Sequence, residues 1–146
     1  IKIGQSRQDY FDICYQLNKQ KKITSGERSL NPELILESKN NSKKGGNIKM
    51  SFNGIFNKKK IMRGFEMRFY FTGWSDWNKD LSSETLLLQL KDTLKVWFPG
   101  NEFFKVNFDN NLSTEVKIDG NRRILAYVVN SKDVAVRIED MSGKYD

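Results

Sequence analysis

Residues 47–56 and 61–72 carry the clearest alternation of apolar and polar positions in the chain. Ile48, Met50 and Phe52 alternate with Lys49, Ser51 and Asn53; Phe65, Met67, Phe69 and Phe71 line one face of the second segment, and Glu66, Arg68 and Tyr70 the other. A period of two marks half-buried strands, because successive side chains leave opposite sides of the pleat. Asn57-Lys-Lys-Lys60 joins the two as a hairpin tip, while Gly54 and Gly64 interrupt the pattern as a bulge or a close backbone approach would. Two segments follow the helical period instead. Over 7–20, Tyr10, Ile13, Cys14 and Leu17 share a face, with Ser6 and Asp9 placed as N-cap and third position. Over 83–98, Leu87, Leu90, Leu94, Trp97 and Phe98 form a stripe that Ser82 or Ser83 caps and Pro99-Gly100 ends. Lys91 lies off that stripe and reads as exposed, so its replacement by Ala is expected to be nearly neutral.

The remaining pattern is shorter-ranged. Residues 21–32, with Gly26 and Pro32, read as a loop and 33–37 as a short strand; Asn40–Gly46 is a basic turn and Gly73–Asp80 an aromatic-polar loop. Four strands follow at 103–108, 114–118, 122–130 and 134–139, separated by polar turns of which Asp119-Gly120 is a strong hairpin signal. The expected order is α-β-β-β-α-β-β-β-β, with hairpins throughout and no βαβ crossover. This is an α+β fold, two amphipathic helices packed on mainly antiparallel sheet. The order hints that an αβββ unit occurs twice, although no residue-level repeat supports it. At 146 residues the chain suits a single domain, 1–146, and its start at Ile1 reads as a fragment or processed part of a longer chain.

Composition then removes chemistry. The chain has no histidine and one cysteine, Cys14. That excludes a Ser-His-Asp triad, a Cys-His pair and an imidazole base, and it leaves too few nitrogen and sulfur ligands for zinc. No cofactor or resident metal is expected. Cys14 lies among Phe11, Ile13 and Leu17, where a buried, inert thiol is the natural reading, and an intracellular setting follows from the single cysteine. No apolar run reaches the length of about 18 residues that a spanning helix needs. No signal peptide or membrane partner is therefore expected. The 18 lysines, 14 asparagines and two alanines resemble the imprint of an AT-rich genome, which scatters lysine irrespective of ligands.

Charge carries the functional expectation. Residues 1–68 hold 15 Lys/Arg against 6 Asp/Glu, a net of +9; residues 69–146 hold 10 against 12, a net of −2. Cations gathered on one side are what phosphate neutralisation requires. The expected function is a non-catalytic nucleic-acid-binding domain, for DNA or RNA, with Lys43, Lys44, Lys49, Lys58, Lys59, Lys60, Arg63 and Arg68 as phosphate contacts. Tyr70, Trp74 or Phe56 would stack bases on an exposed face. The alternative is a protein-interaction or structural module of a larger assembly, in which lysines protect edges and loops and the aromatics are core. A third reading is a Mg²⁺-dependent nuclease. Glu37-Ser-Lys39, with Glu33 and Glu27 upstream, resembles the Glu-x-Lys half of the restriction-endonuclease-like motif, which implies a metal-held water. No catalytic residue is assigned on three matched positions, because a solvated strand-end ion pair explains them equally.

Overall fold

The computed structural model describes residues 1–26, 31–37, 46–107 and 113–146. Helix α1 (Arg7–Lys19) opens on a capping box: the Ser6 hydroxyl accepts from the Asp9 backbone N–H, and the Asp9 carboxylate accepts from the Ser6 N–H. Strands β1 (Thr24–Ser25), β2 (Pro32–Leu36), β3 (Ile48–Phe56) and β4 (Met62–Phe71) follow. A 3₁₀ turn at Lys79–Leu81 leads into α2 (Ser83–Trp97), which the Ser82 side chain caps by accepting from the Thr85 N–H. The chain then adds β5 (Phe104–Asn107), β6 (Ser113–Asp119), β7 (Arg122–Val128) and β8 (Val134–Asp140). The fold is α+β. Strand β1 is the element that the pattern along 21–32 missed, since two exposed residues hold no period to detect.

Among the described residues, all eight strands form one antiparallel sheet in the order β1-β2-β3-β4-β8-β7-β6-β5. Each helix is followed by a four-stranded meander, and the last strands of the two meanders, β4 and β8, pair at the centre of the sheet. The repeated unit is thus αββββ, one strand longer than the sequence suggests.

Both helices feed one core. Tyr10 on α1 and Leu86, Leu90 and Leu94 on α2 are buried with Ile48, Phe52, Met67, Phe69, Ile124, Ala126, Val134 and Val136. The register puts those sheet residues on one side: Phe52 faces Met67, which faces Val136, which faces Ala126. Gly54 lies on this side, where a Cβ would sit 2.6 Å from the Phe56 ring. The ladder slips between Ile55 and Phe56. The extra residue there is Arg63 on β4, and β3 keeps its alternation, which turns Phe56 inward against Tyr10 with ring centroids 5.4 Å apart. Phe56 is therefore packed against the core and is not on an exposed face, because the alternation of Ile48, Met50 and Phe52 carries on through Gly54 instead of breaking there. Cys14 is half-buried against the same core, and burial pushes its thiol up, away from the thiolate.

Lys91 is a second correction. Its ammonium bridges to Glu115 at 3.2 Å, and Glu115 is buried on the helix-covered side of β6. The lysine stem reaches from the flank of α2 down to the sheet. Among the described residues no helix is long and apolar enough to cross a membrane.

Candidate nucleic-acid interface

Alternation along the strands leaves a second set of side chains on the other side of the sheet, where none of the described helices contributes to the core. Register places them in rows. Glu33, Ser51, Arg68, Ala135 and Tyr127 stand side by side across β2, β3, β4, β8 and β7; Asn53, Glu66, Arg137 and Leu125 form the next row, and Gly64, Glu139 and Arg123 the one after. Lys49 and Tyr70 face each other at the far end of the β3–β4 hairpin.

That end holds a groove of about 250 Å³ lined by Glu33, Lys49, Ser51, Arg68, Tyr70, Lys132 and Asp133. The Lys132 ammonium lies 4.1 Å from the Tyr70 ring centroid and 5.9 Å from that of Trp74, a cation–π contact made from the β7–β8 turn. Lys49 bridges to Glu33 at 2.9 Å; this hydrogen bond pushes its ammonium up against the opposing effect of burial, with a smaller contribution from Tyr70. Arg68 is only loosely held, 3.9 Å from Asp133, and is more than half exposed. Trp74 is fixed rather than free. Its Nε1–H donates to the Ser131 carbonyl at 3.0 Å and its ring packs partly against the core, while Trp77 is 86% exposed.

Arginines dominate the middle of this face. Arg123 donates through Nη2 to Glu139 Oε2 at 2.6 Å, Arg137 donates through Nε to Oε1 at 2.5 Å, and Arg63 Nη1 stands 3.9 Å from Oε1. Burial alone would raise the Glu139 carboxyl, but the hydrogen bonds and charges of Arg123 and Arg137 outweigh it and hold the group below its ordinary value. Arg122 turns the other way, over the Phe98 ring at 4.6 Å and 3.5 Å from Asp119.

Lys58, Lys59 and Lys60 are exposed at the β3–β4 tip beside the start of α1, where the Lys60 carbonyl accepts from the Arg7 backbone N–H. Along β3 the seven-residue step from Lys49 to Phe56 spans about 23 Å at about 3.3 Å per residue. The structure therefore gathers Lys49, Arg68, Tyr70 and Trp74 at one end, sets Lys58–Lys60 at the other, and puts Arg63 between them. Lys43 and Lys44 lie outside the described residues, as do Lys39 and Glu27. Glu37 is exposed at a strand end, and Glu33 is already engaged by Lys49. Among the described residues no group of three Asp, Glu, His or Cys side chains could hold a metal ion.

Sequence reasoning passed over Lys132, Arg137, Tyr127 and Glu139 because they fall in the half with net negative charge. The signal was present in the alternation of 122–128 and 134–140, which puts Arg123 with Leu125 and Tyr127, and Ala135 with Arg137 and Glu139, opposite the core positions Ile124, Ala126, Val134 and Val136. Comparison of the chain with known protein families, with curated proteins and with solved structures finds no match in any of the three.

Proposed function

We propose that the open face of the sheet binds single-stranded nucleic acid without catalysis. The carrying observation is the cluster of Tyr70, Lys132, Lys49 and Arg68 in one groove, continued along the β4–β8 seam by Arg137, Arg123 and Arg63. An aromatic ring bordered by cations on an open antiparallel face suits splayed bases, since stacking needs a free ring and the phosphates need charge within reach. Lys132 has a flexible stem, so a base can take its place over Tyr70 while the ammonium swings to a phosphate. Lys58–Lys60 at the tip extend the basic track. Lys49, Arg63, Arg123 and Arg137 retain between 27% and 35% exposure despite their acidic partners, so phosphate oxygens can reach them.

A specific observation favours a protein partner as the second reading: Ile35, Phe104 and Ile118 lie on the same face and are 60%, 48% and 42% exposed. Fluorescence anisotropy with labelled single-stranded and duplex oligonucleotides separates the two. On the nucleic-acid reading single strands bind better than duplex, and log K falls against log salt by about 0.7 per phosphate contacted. Tyr70→Ala weakens binding by about 1–3 kcal/mol with the slope retained. Replacing Lys58, Lys59 and Lys60 by Ala flattens the slope. Absence of binding at low salt refutes the reading and favours the protein partner.

A further inference from the structure

We propose that Arg123, Arg137 and Arg63 form a phosphate-binding site at the centre of the open face, with Glu139 as the residue that positions the guanidiniums. The proposal rests on the nucleic-acid reading and gives it its principal phosphate contact. Glu139 is 3% exposed and lies one residue from the end of β8, and a buried carboxylate needs one guanidinium to compensate it. It has three nearby. Two of them use a single nitrogen each: Arg123 donates from Nη2 and Arg137 from Nε, which leaves Nη donors uncommitted on both. Arg123 Nε is buried with no hydrogen-bond partner, so the donors that an anion can reach are those at the exposed end of the guanidinium. Arg63, at 3.9 Å, is attracted to the carboxylate without a hydrogen bond to it.

The charge count agrees. Glu66, opposite Arg137 in register, is the other acid beside the cluster, so three guanidiniums face two carboxylates and an anion completes the balance. The backbone makes room for the arrangement. Gly64 stands directly across from Glu139, and a Cβ there would lie 3.2 Å from Glu139 Cγ and 2.9 Å from the Ile138 carbonyl oxygen. A glycine at this point leaves the Glu139 side chain the room it occupies across the ladder. Guanidiniums restrained in this way lose little freedom on binding, and their planar forks match two phosphate oxygens at once.

The test uses the full chain with a single-stranded oligonucleotide and, separately, with inorganic tripolyphosphate. Arg123→Gln with Arg137→Gln leaves Glu139 short of partners and can impair folding, so a second protein adds Glu139→Gln and removes the buried charge. That triple variant is expected to unfold cooperatively, to bind the oligonucleotide about tenfold or more weakly, and to lose about 1.4 from the salt slope, the share of two phosphates. Tripolyphosphate is expected to raise the Tm of the parent and not that of the triple variant. Glu139→Gln alone removes a negative charge from the cluster and so raises its net charge by one; lower oligonucleotide affinity supports the positioning role, and unchanged or higher affinity overturns it. A triple variant that binds the oligonucleotide like the parent, with the same slope, overturns the site while leaving the nucleic-acid reading intact. If the parent binds no oligonucleotide, that reading falls, and the arginine site stands only if tripolyphosphate stabilises the parent alone. Equal stabilisation of parent and triple variant, or none of either, overturns it.

Discussion

Replacing Lys91 by Ala tests whether the α2–β6 contact is a buried ion pair or surface decoration. The Lys91 ammonium is 3.2 Å from Glu115 Oε1 and 5.8 Å from the Phe103 ring centroid; the two charged side chains are 20% and 6% exposed. Removing one partner of a fully buried pair costs about 3–5 kcal/mol, because the other charge is left dry and uncompensated. A pair on the surface contributes only about 0–1 kcal/mol. The lysine here is one-fifth exposed, and Lys105 faces Glu115 across the β5–β6 ladder, exposed and able to swing toward it. Both facts reduce the loss, so the expected cost is about 2–3 kcal/mol. Urea unfolding followed by the fluorescence of the three tryptophans measures it. A cycle of Lys91→Met, Glu115→Gln and the double variant isolates the pair, with an expected coupling of about 1–2 kcal/mol. If Lys91→Ala stays within about 0.5 kcal/mol of the parent, or the double variant is additive, the lysine is a surface residue and the packing of α2 on β6 is misjudged.

Three further outcomes are expected. Leu90→Ala, at a position 6% exposed in the centre of the α2 stripe, should cost about 2–5 kcal/mol in the same urea assay. Gly64→Ala should cost about 2 kcal/mol or more, because its Cβ would meet a backbone carbonyl oxygen that the β4–β8 ladder holds in place, and thermal unfolding reads the loss. The Glu139 carboxyl is held below its ordinary value of 4.5, so its contribution to stability is complete above about pH 5 and is lost as pH falls through the depressed folded value. Urea midpoints between pH 7 and pH 3 should therefore fall more steeply for the parent than for Glu139→Gln.

The fold was legible where a period ran long enough to be counted. The α1 cap, the α2 stripe and the β3–β4 alternation each repeat a local rule over ten or more residues, and the structure keeps them with ends shifted by a residue or so. What failed was local in another sense. Strand β1 has two residues, so only its pairing with β2 defines it. Phe56 keeps the alternation of β3 through Gly54, so the inward position follows from the period itself once Gly54 is counted as part of the strand and not as a break in it. Lys91 looks exposed on a helical wheel because the wheel cannot show that a long stem reaches a buried acid on β6, 24 positions further along the chain.

The site was half legible for a related reason. Net charge by segment assigns the interface to the first half, but the sheet order places β4 against β8 and so joins the two halves along one seam. Arg63 and Arg68 come from one side of it, and Arg123, Lys132 and Arg137 from the other. The second half is acidic overall, but some of its carboxylates lie away from this face: Glu115 answers Lys91 on the covered side, and Asp119 caps Lys117 near the start of β5. Counting only the side chains on the open face makes the second half's share of it more basic than that half's total implies. Which charges count toward an anionic partner is decided by which side of the pleat each residue occupies. That can be read from the alternation of β7 and β8 once the core positions Ile124, Ala126, Val134 and Val136 are fixed. Arg68, Arg123 and Arg137 then share one surface although they are spread over some 70 positions of the chain. A protein partner drawn to Ile35, Phe104 and Ile118 would meet the rim of this surface, whereas a phosphate chain following the seam would meet its centre.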